Sequence, residues 1–290
     1  MSLTIRNLPD EELVAPGRFG CPGCGPVIAA RIISKVLGKK TIMVNSTGCM
    51  TGNYAYSGAP LFPFVHALFE NAGSVISGID YGLRALGRRE GVNLVCLCGD
   101  GGTADIGLQA LSGAAERGHR FLYICYDNEG YMNTGVQRSG TTPYGAKTTT
   151  SPAGEKRPMS LRKDMVKIMM AHGIPYAATA TIAYPLDLAQ KVKKAVSISG
   201  PTYIHVLSPC WTGWGFPAHR TVKISKLAVE TGMLILYEAE NGAIRPTLKI
   251  PKRKPVAEYI KAQKRFSSLS EAEITQIQEF VDNKCKEFGV

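Results

Sequence analysis

The stretch "LVCLCGDGGTADIG", residues 94–107, decides the fold. An apolar run over 92–98 ends on Gly99, Asp100, Gly101 and Gly102 before a helical pattern begins over 104–117. A short apolar run closed by glycine and followed by a helix reads as a buried strand. A second such run, "FLYICYD" at 121–127, follows the helix. Two strands joined by a helix of that length make a right-handed parallel unit, and ligands of such sheets sit outside the carboxyl ends of the strands. Two polar clusters, 99–102 and 127–130, fall there. Glycine lets backbone approach a ligand closely, and a helix start favours phosphate. A lone carboxylate would repel phosphate, so Asp100 implies a cation in between.

Working outward, "PVIAARIISKVL" (26–37) has helical spacing and "TIMVN" (41–45) reads as a short buried strand. "HALFENAGSVISGIDYGLRALG" (66–87) reads as one long helix rich in small residues. A long Gly/Thr/Ser-rich loop spans 133–158, and loops of that length are usually functional or mobile. A helix is expected over 160–173 with Ser160 as N-cap. A strand at 202–207 should end at the sharp "SPCWTGWGFP" (208–217). From about residue 227 the alternation fades, and a charged amphipathic helix closes the chain over 270–288. The expected architecture is α/β: a doubly wound, mostly parallel sheet over 1–226, with a subunit-docking extension over 227–290.

With 290 residues, 44% hydrophobic and 8% aromatic, the chain has the composition of a globule with a real core. The first residues carry Asp10, Glu11 and Glu12 and no apolar signal-peptide core, and no run is long and apolar enough to span a membrane. A cytoplasmic location is expected. Part of the net charge of +11 lies in "LKIPKRKPVAEYIKAQKRF" (248–266). No nucleic-acid motif or basic groove with stacking aromatics accompanies it. It reads as a solvated basic tail docking on a neighbouring subunit, or as a patch that steers an acidic partner.

A hard cation such as Mg²⁺ takes oxygen ligands in an octahedron and commonly keeps phosphate oxygens among them. Asp100 and Asn128 end adjacent strands, about 4.8 Å apart, and so can reach one ion. A glycine cluster alone is equally a tight strand–helix turn, but "GDGG", a helix, a strand and "DNEGYMN" together are sharper. They resemble the thiamine diphosphate signature, in which GDG is followed, after a helix and a strand, by Asn. That resemblance implies Mg²⁺ ligands at Asp100, Asn128 and the Gly130 carbonyl, with Gly99, Gly101 and Gly102 along the diphosphate.

Of eight cysteines, Cys96, Cys98 and Cys125 fall in buried strands, where cysteine acts as a small apolar residue, and Cys285 lies on the terminal helix without a role. Cys21 and Cys24 ("FGCPGCGP"), Cys49 ("STGCMTG") and Cys210 ("SPCWTGWG") occupy loop settings. Four thiolates can bind structural zinc or a 4Fe–4S cluster. Only one CxxC pair exists where a zinc ribbon has two, and disulfides are disfavoured in a reducing cytoplasm. Cluster, zinc and unrelated cysteines all stay open on local sequence.

Together, "CPGCG", "TGC", "GDGGTADIGLQALSGAAERGH", "YICYDNEGYMNTGVQRSGTTPYGA" and "PCWTGWGF" resemble, in order, the β subunit of the pyruvate:ferredoxin (2-oxoacid:ferredoxin) oxidoreductases. The likeness runs from about residue 16 to beyond 215 and implies the thiamine diphosphate-binding type of sheet. It implies that Cys21, Cys24, Cys49 and Cys210 bind a 4Fe–4S cluster near the thiamine, with Cys49 also beside that cofactor. The implied reaction is oxidative decarboxylation of a 2-oxo acid, electrons passing through iron–sulfur clusters to ferredoxin and coenzyme A usually taking the acyl group. Asn133 matches an asparagine beside the reacting centre; the alternative is a turn-stabilising Asn before Gly135. Gln137 and Arg138 are weaker candidates, read as loop or interface residues, and Trp211 and Trp214 are expected to shield the cluster. His66 and His172 are given no role.

The thiamine-activating glutamate of this family comes from a partner subunit. No ferredoxin-like CxxCxxCxxxC run occurs here, so another chain must carry electrons outward. Pro26 stands where some relatives have Glu, and 50–64 departs from the form associated with pyruvate. Pyruvate is the first choice of substrate, with oxalate (which needs no coenzyme A), an aryl glyoxylate or a branched-chain 2-oxo acid as alternatives. The rival classes are a non-oxidative thiamine-dependent decarboxylase or synthase, which leaves the cysteines idle, and a zinc-bearing scaffold protein.

Overall fold

A computed structural model of the chain describes residues 4–17 and 19–290. Its centre is the unit read from the opening stretch. Strand β3 (Asn93–Gly99) runs parallel to β4 (Phe121–Asp127), with Gly99 opposite Tyr126. On one side β3 pairs with β1 (Thr41–Ser46) and β1 with β2 (Phe64–Ala67). On the other, β4 pairs with β6 (Pro201–Leu207) and β6 with β5 (Tyr176–Thr181). All these pairings are parallel. An antiparallel hairpin, β7 (Tyr237–Glu240) and β8 (Ala243–Pro246), extends the sheet beyond β5.

Near-continuous burial along β3 and β4 requires cover on both faces. One face packs on α1 (Gly25–Leu37) and α5 (Pro185–Ser197), through Ala29, Ile33, Leu188 and Val192. The other packs on α2 (Ala72–Ala85), α3 (Leu108–Glu116), α4 (Met165–Ala171), α7 (Thr221–Glu230), α8 (Val256–Lys261) and α9 (Glu271–Phe288). The sheet is therefore doubly wound, as expected. None of the helices, among the described residues, is long and apolar enough to cross a membrane.

Four local expectations change. The stretch 66–87 is not one helix: its start belongs to edge strand β2, paired residue for residue with β1, and α2 begins only at Ala72. Helix α3 starts at Leu108 rather than 104, because Gly101–Asp105 form a wide π-type turn around the strand tip. Helix α4 is capped not by Ser160 but by Asp164, whose side chain accepts from Lys167 N at 3.2 Å. The expected boundary at 226/227 falls inside α7. The residues beyond it add β7 and β8 to the same sheet and Ile274, Ile277 and Val281 to the same core.

Candidate functional site

The carboxyl ends of four neighbouring strands, β1, β3, β4 and β6, converge. After β1 comes Cys49, after β3 Asp100, after β4 Asn128 and after β6 Cys210. The β3–β4 register brings Asp100 and Asn128 together, both buried. One end of the Asn128 amide lies 3.0 Å from Asp100 Oδ1 and 2.8 Å from the Gly130 carbonyl. The other end, with nitrogen there, is 3.6 Å from Cys49 Sγ. With oxygen facing inward three acceptors meet; turned over, the amide would donate to both. Octahedral Mg²⁺ with bonds of about 2.0–2.1 Å needs neighbouring ligand oxygens about 2.9 Å apart. The inward-facing set fits such a cation in chemistry and in spacing.

Asp100 accepts from Ser139 Oγ at 2.5 Å and from Thr141 Oγ1 at 3.1 Å, and Thr141 Oγ1 also lies 2.9 Å from Asp127 Oδ1. A threonine hydroxyl has one proton, so it serves one carboxylate at a time. Burial and then the Asp127 charge push the Asp100 carboxyl well above the usual carboxylate range. Burial acts the same way on Asp127. Its contacts outweigh that and hold it low: His205 Nε2 at 2.8 Å, Arg162 Nη2 at 3.4 Å and Thr141 Oγ1 at 2.9 Å.

Gly101 leaves room no side chain would. A Cβ there would stand 2.3 Å from the Tyr131 ring, so the turn can pack against that ring only with glycine. The open cleft above, about 460 Å³ counting the solvent at its mouth, is lined by Gly99, Asp100, Gly101, Gly102, Asn128 and Gly130, with Cys49, Met132 and Asn133 at its rim. Every cofactor residue expected from the sequence lies in it. Gln137 instead closes its own turn on Thr134, and Arg138 pairs with Glu155 at 2.6 Å.

Cys24 precedes α1, and Cys210 caps the short α6 (Trp211–Trp214), accepting from Gly213 N at 3.4 Å. The two turns touch where Gly25 N donates to Pro209 O at 3.3 Å. Burial pushes the Cys24 and Cys49 thiols each up to about 12, with Cys210 and Cys21 adding to the first and Cys24 and Cys210 to the second. Cys24 and Cys210 thus each interact with the other three sulfurs, while Cys21 is exposed. Among the described residues no three His, Cys, Asp or Glu side chains are close enough to hold a single metal ion. A larger iron–sulfur cage holds its thiolates further apart, and the N–H groups aimed at Cys24, Cys49 and Cys210 suit thiolates.

Sequence reasoning missed the supports. Trp214 is buried, and its indole N–H donates to Asn128 O at 2.7 Å, so it ties the Cys210 turn to the β4 tip. Glu129 is paired with Arg162 Nη2 at 2.6 Å and with Arg265 Nη2 at 2.6 Å. Ser139 and Thr141 lay unremarked inside the quoted loop. Nothing local marked them as partners of Asp100.

Residues 46–206 match the family described as "Thiamine pyrophosphate enzyme, C-terminal TPP binding domain". The pyruvate synthase subunit PorB of Methanothermobacter marburgensis is 55% identical, covering 98% of this chain and 100% of its own. PorB of Methanocaldococcus jannaschii is 54% identical over 99% of this chain and 100% of its own. The ketoisovalerate oxidoreductase subunit VorB of Pyrococcus abyssi is 47% identical over 95% and 92%. The fold is shared, at 22% identity and a TM-score of 0.60 over 72% of each chain, with 2-oxoglutarate:ferredoxin oxidoreductase from Magnetococcus marinus, solved with 2-oxoglutarate, coenzyme A and succinyl-CoA bound. Full-length likeness to oxidoreductase subunits sets aside the non-oxidative decarboxylase and the zinc scaffold. The chain belongs to the thiamine diphosphate-binding β subunits of the 2-oxoacid:ferredoxin oxidoreductase family.

Proposed function

We propose that this chain holds Mg²⁺–thiamine diphosphate and the first 4Fe–4S cluster of a cytoplasmic pyruvate:ferredoxin oxidoreductase, with coenzyme A as acyl acceptor. The observation that carries the metal reading is the meeting of the Asp100 carboxylate, the Asn128 amide and the Gly130 carbonyl, with the amide 3.0 Å from the carboxylate and 2.8 Å from the carbonyl and free to turn its oxygen toward a cation. When bound, thiamine diphosphate supplies the nucleophile and electron sink for decarboxylation, and the cluster accepts electrons singly.

The chain's own residues do the placing. Asp100, Asn128 and the Gly130 carbonyl would hold the cation, with Ser139 and Thr141 orienting Asp100. Gly99, Gly101 and Gly102 admit the diphosphate. Phe69 and Met132 make the cleft apolar and limit water, and Asn133 at the rim offers an amide to the substrate carboxylate or carbonyl. Cys21, Cys24, Cys49 and Cys210 would hold the cluster. Because Cys49 also contacts Asn128, cluster and thiamine would be neighbours. A partner subunit would supply the thiamine-activating glutamate, and another the ferredoxin-like clusters.

Pyruvate is favoured because PorB relatives reach 55% identity where VorB relatives reach 47%, although PorB of Thermotoga maritima stands at 43%. The second reading, 2-oxoisovalerate, rests on VorB covering 95% of the chain. The purified native complex, assayed with pyruvate, 2-oxoisovalerate and oxalate, with and without coenzyme A, should reduce ferredoxin fastest with pyruvate plus coenzyme A. Equal rates without coenzyme A, or a preference for another acid, would replace pyruvate. Absence of iron in that complex would remove the cluster.

A further inference from the structure

Arg265 lies far from the motifs, in the segment the sequence assigns to the extension, yet it is buried. Its guanidinium carbon sits 3.6 Å from the centroid of the Trp214 ring, and its Nη2 is 2.6 Å from Glu129 Oε2. Nε donates to Gln263 Oε1 at 2.9 Å, and its backbone carbonyl accepts from Lys147 N at 2.7 Å. The side chain is therefore fixed between two partners that each belong to a different half of the site.

Glu129 stands between Asn128 and Gly130 and has φ 63°, a left-handed conformation that a residue with a Cβ rarely adopts. A shift of its side chain would turn both neighbouring ligand positions. Trp214 closes the helix that Cys210 caps and donates to Asn128 O. One guanidinium thus spans the β4 tip and the Cys210 turn, and its charge also acts on the Cys210 sulfur. A planar fork can stack on an indole and pair with a carboxylate at once; an ammonium cannot do both.

We propose that Arg265 is a positioning residue that holds the 128–130 tip and the Cys210 turn in fixed relation, and with them the cation and sulfur sites. The proposal rests on the assignment of those two sites above. Its test has one arm that does not. In the cofactor-free chain, Arg265→Gln should speed amide hydrogen exchange in 127–133 and in 210–216 together, with Arg265→Lys intermediate and the melting transition retained. In the purified complex, Arg265→Gln should weaken Mg²⁺-dependent thiamine diphosphate binding at least tenfold and move the cluster midpoint to a more negative potential. Arg265→Lys should restore the potential, because the charge remains, but not the affinity. Exchange that rises in one segment only, or in neither, overturns the proposal whatever the cofactors do. So does a Gln variant with unchanged affinity and potential, or a Lys variant that loses both equally. A wild-type complex without iron or Mg²⁺-dependent binding would sink the site assignment instead, leaving the exchange arm to decide on Arg265.

Discussion

Gly25→Ala should damage the sulfur site while sparing the thiamine site. A Cβ on residue 25 would stand 2.6 Å from Pro209 O, 2.7 Å from Ser208 C and 2.8 Å from Pro209 N. All three are backbone atoms of the segment that leads into Cys210, so no side chain can swing aside. Reaching ordinary contact at 3.4 Å from 2.6 Å requires the two turns to part by about 0.8 Å. Metal–ligand distances tolerate only about 0.2 Å, so Cys24 and Cys210 could no longer serve one cluster without strain. Overpacking of this kind costs about 1–3 kcal/mol, and about 2 kcal/mol lowers the melting temperature by about 4 °C for a chain of this class. The assay is iron, sulfide and thiamine content of the purified complex beside its melting curve. Relative to the wild-type complex, iron should fall by about four per copy of this chain, the clusters on the other subunit remaining, while thiamine stays, because Asp100, Asn128 and Gly130 sit on other strand tips. Gly78→Ala is the control: that exposed α2 position has nothing within 4 Å of a Cβ, and alanine should add about 0.5–1 kcal/mol of stability. A Gly25→Ala complex with full iron and an unchanged melting curve would refute the close-approach reasoning.

Altering a group behind a metal ligand costs about 10- to 100-fold in affinity, so Asp100→Asn should exceed that loss in Mg²⁺-dependent thiamine binding by calorimetry, yet raise the melting point of the cofactor-free chain. Burial and the Asp127 charge raise the Asp100 carboxyl, so protons compete with the cation for it; thiamine kept after desalting should therefore fall as pH is lowered and recover as it is raised, and a flat profile would contradict that sign. Cys210→Ser should leave a labile cluster, followed as decay of its visible absorbance in air; decay at the wild-type rate would make Cys210 a bystander. The isolated chain, lacking a partner's glutamate and outward clusters, should not reduce ferredoxin with a 2-oxo acid, and turnover by it alone would contradict that division of labour.

How legible each part was follows from where its signal lies. The β3–α3–β4 unit could be read because its strands are continuous apolar runs closed by glycine, a local pattern. Edge strand β2 could not, since 64–67 is too short to show a period and 68–71 carries no turn residue beyond Asn71. The start of α4 was misplaced because tertiary contacts compete with the local cap. Lys163 N bonds Gly140 O at 3.1 Å and Arg162 reaches Glu129, so 162–163 are drawn toward the site and helix begins only after Asp164. Asp100, Asn128 and the cysteines sit in motifs with their own spacing. Ser139, Thr141, His205 and Arg265 act on them only through the fold, and a residue joined by tertiary contact leaves no mark in the local pattern.

The electrostatics of the interior give a separate reason to expect a cation at Asp100. Six acidic side chains are buried among the described residues: Asp80, Asp100, Asp127, Glu129, Glu155 and Glu238. Asp80 is paired with Arg89, Asp127 and Glu129 with Arg162, Glu155 with Arg138 and Glu238 with Arg245. Asp100 alone has no cationic side chain and makes do with two hydroxyls. An ionised group buried without a counter-charge costs several kcal/mol, and a chain that neutralises five such groups has left the sixth for something outside itself. The Asp100→Asn variant shows why this matters. The oxygen of the introduced amide can still accept from Ser139 and Thr141, and its other end lies 3.0 Å from the Asn128 amide, which can turn to match it. The cost of burying a carboxyl without a counter-charge disappears, a gain of order 1–3 kcal/mol in the cofactor-free protein. Opposite signs, a firmer fold and a lost cofactor, would mark Asp100 as a residue kept for its ligand. A drop in both would mean that the carboxylate is structural and that the oxygens meet there for another reason.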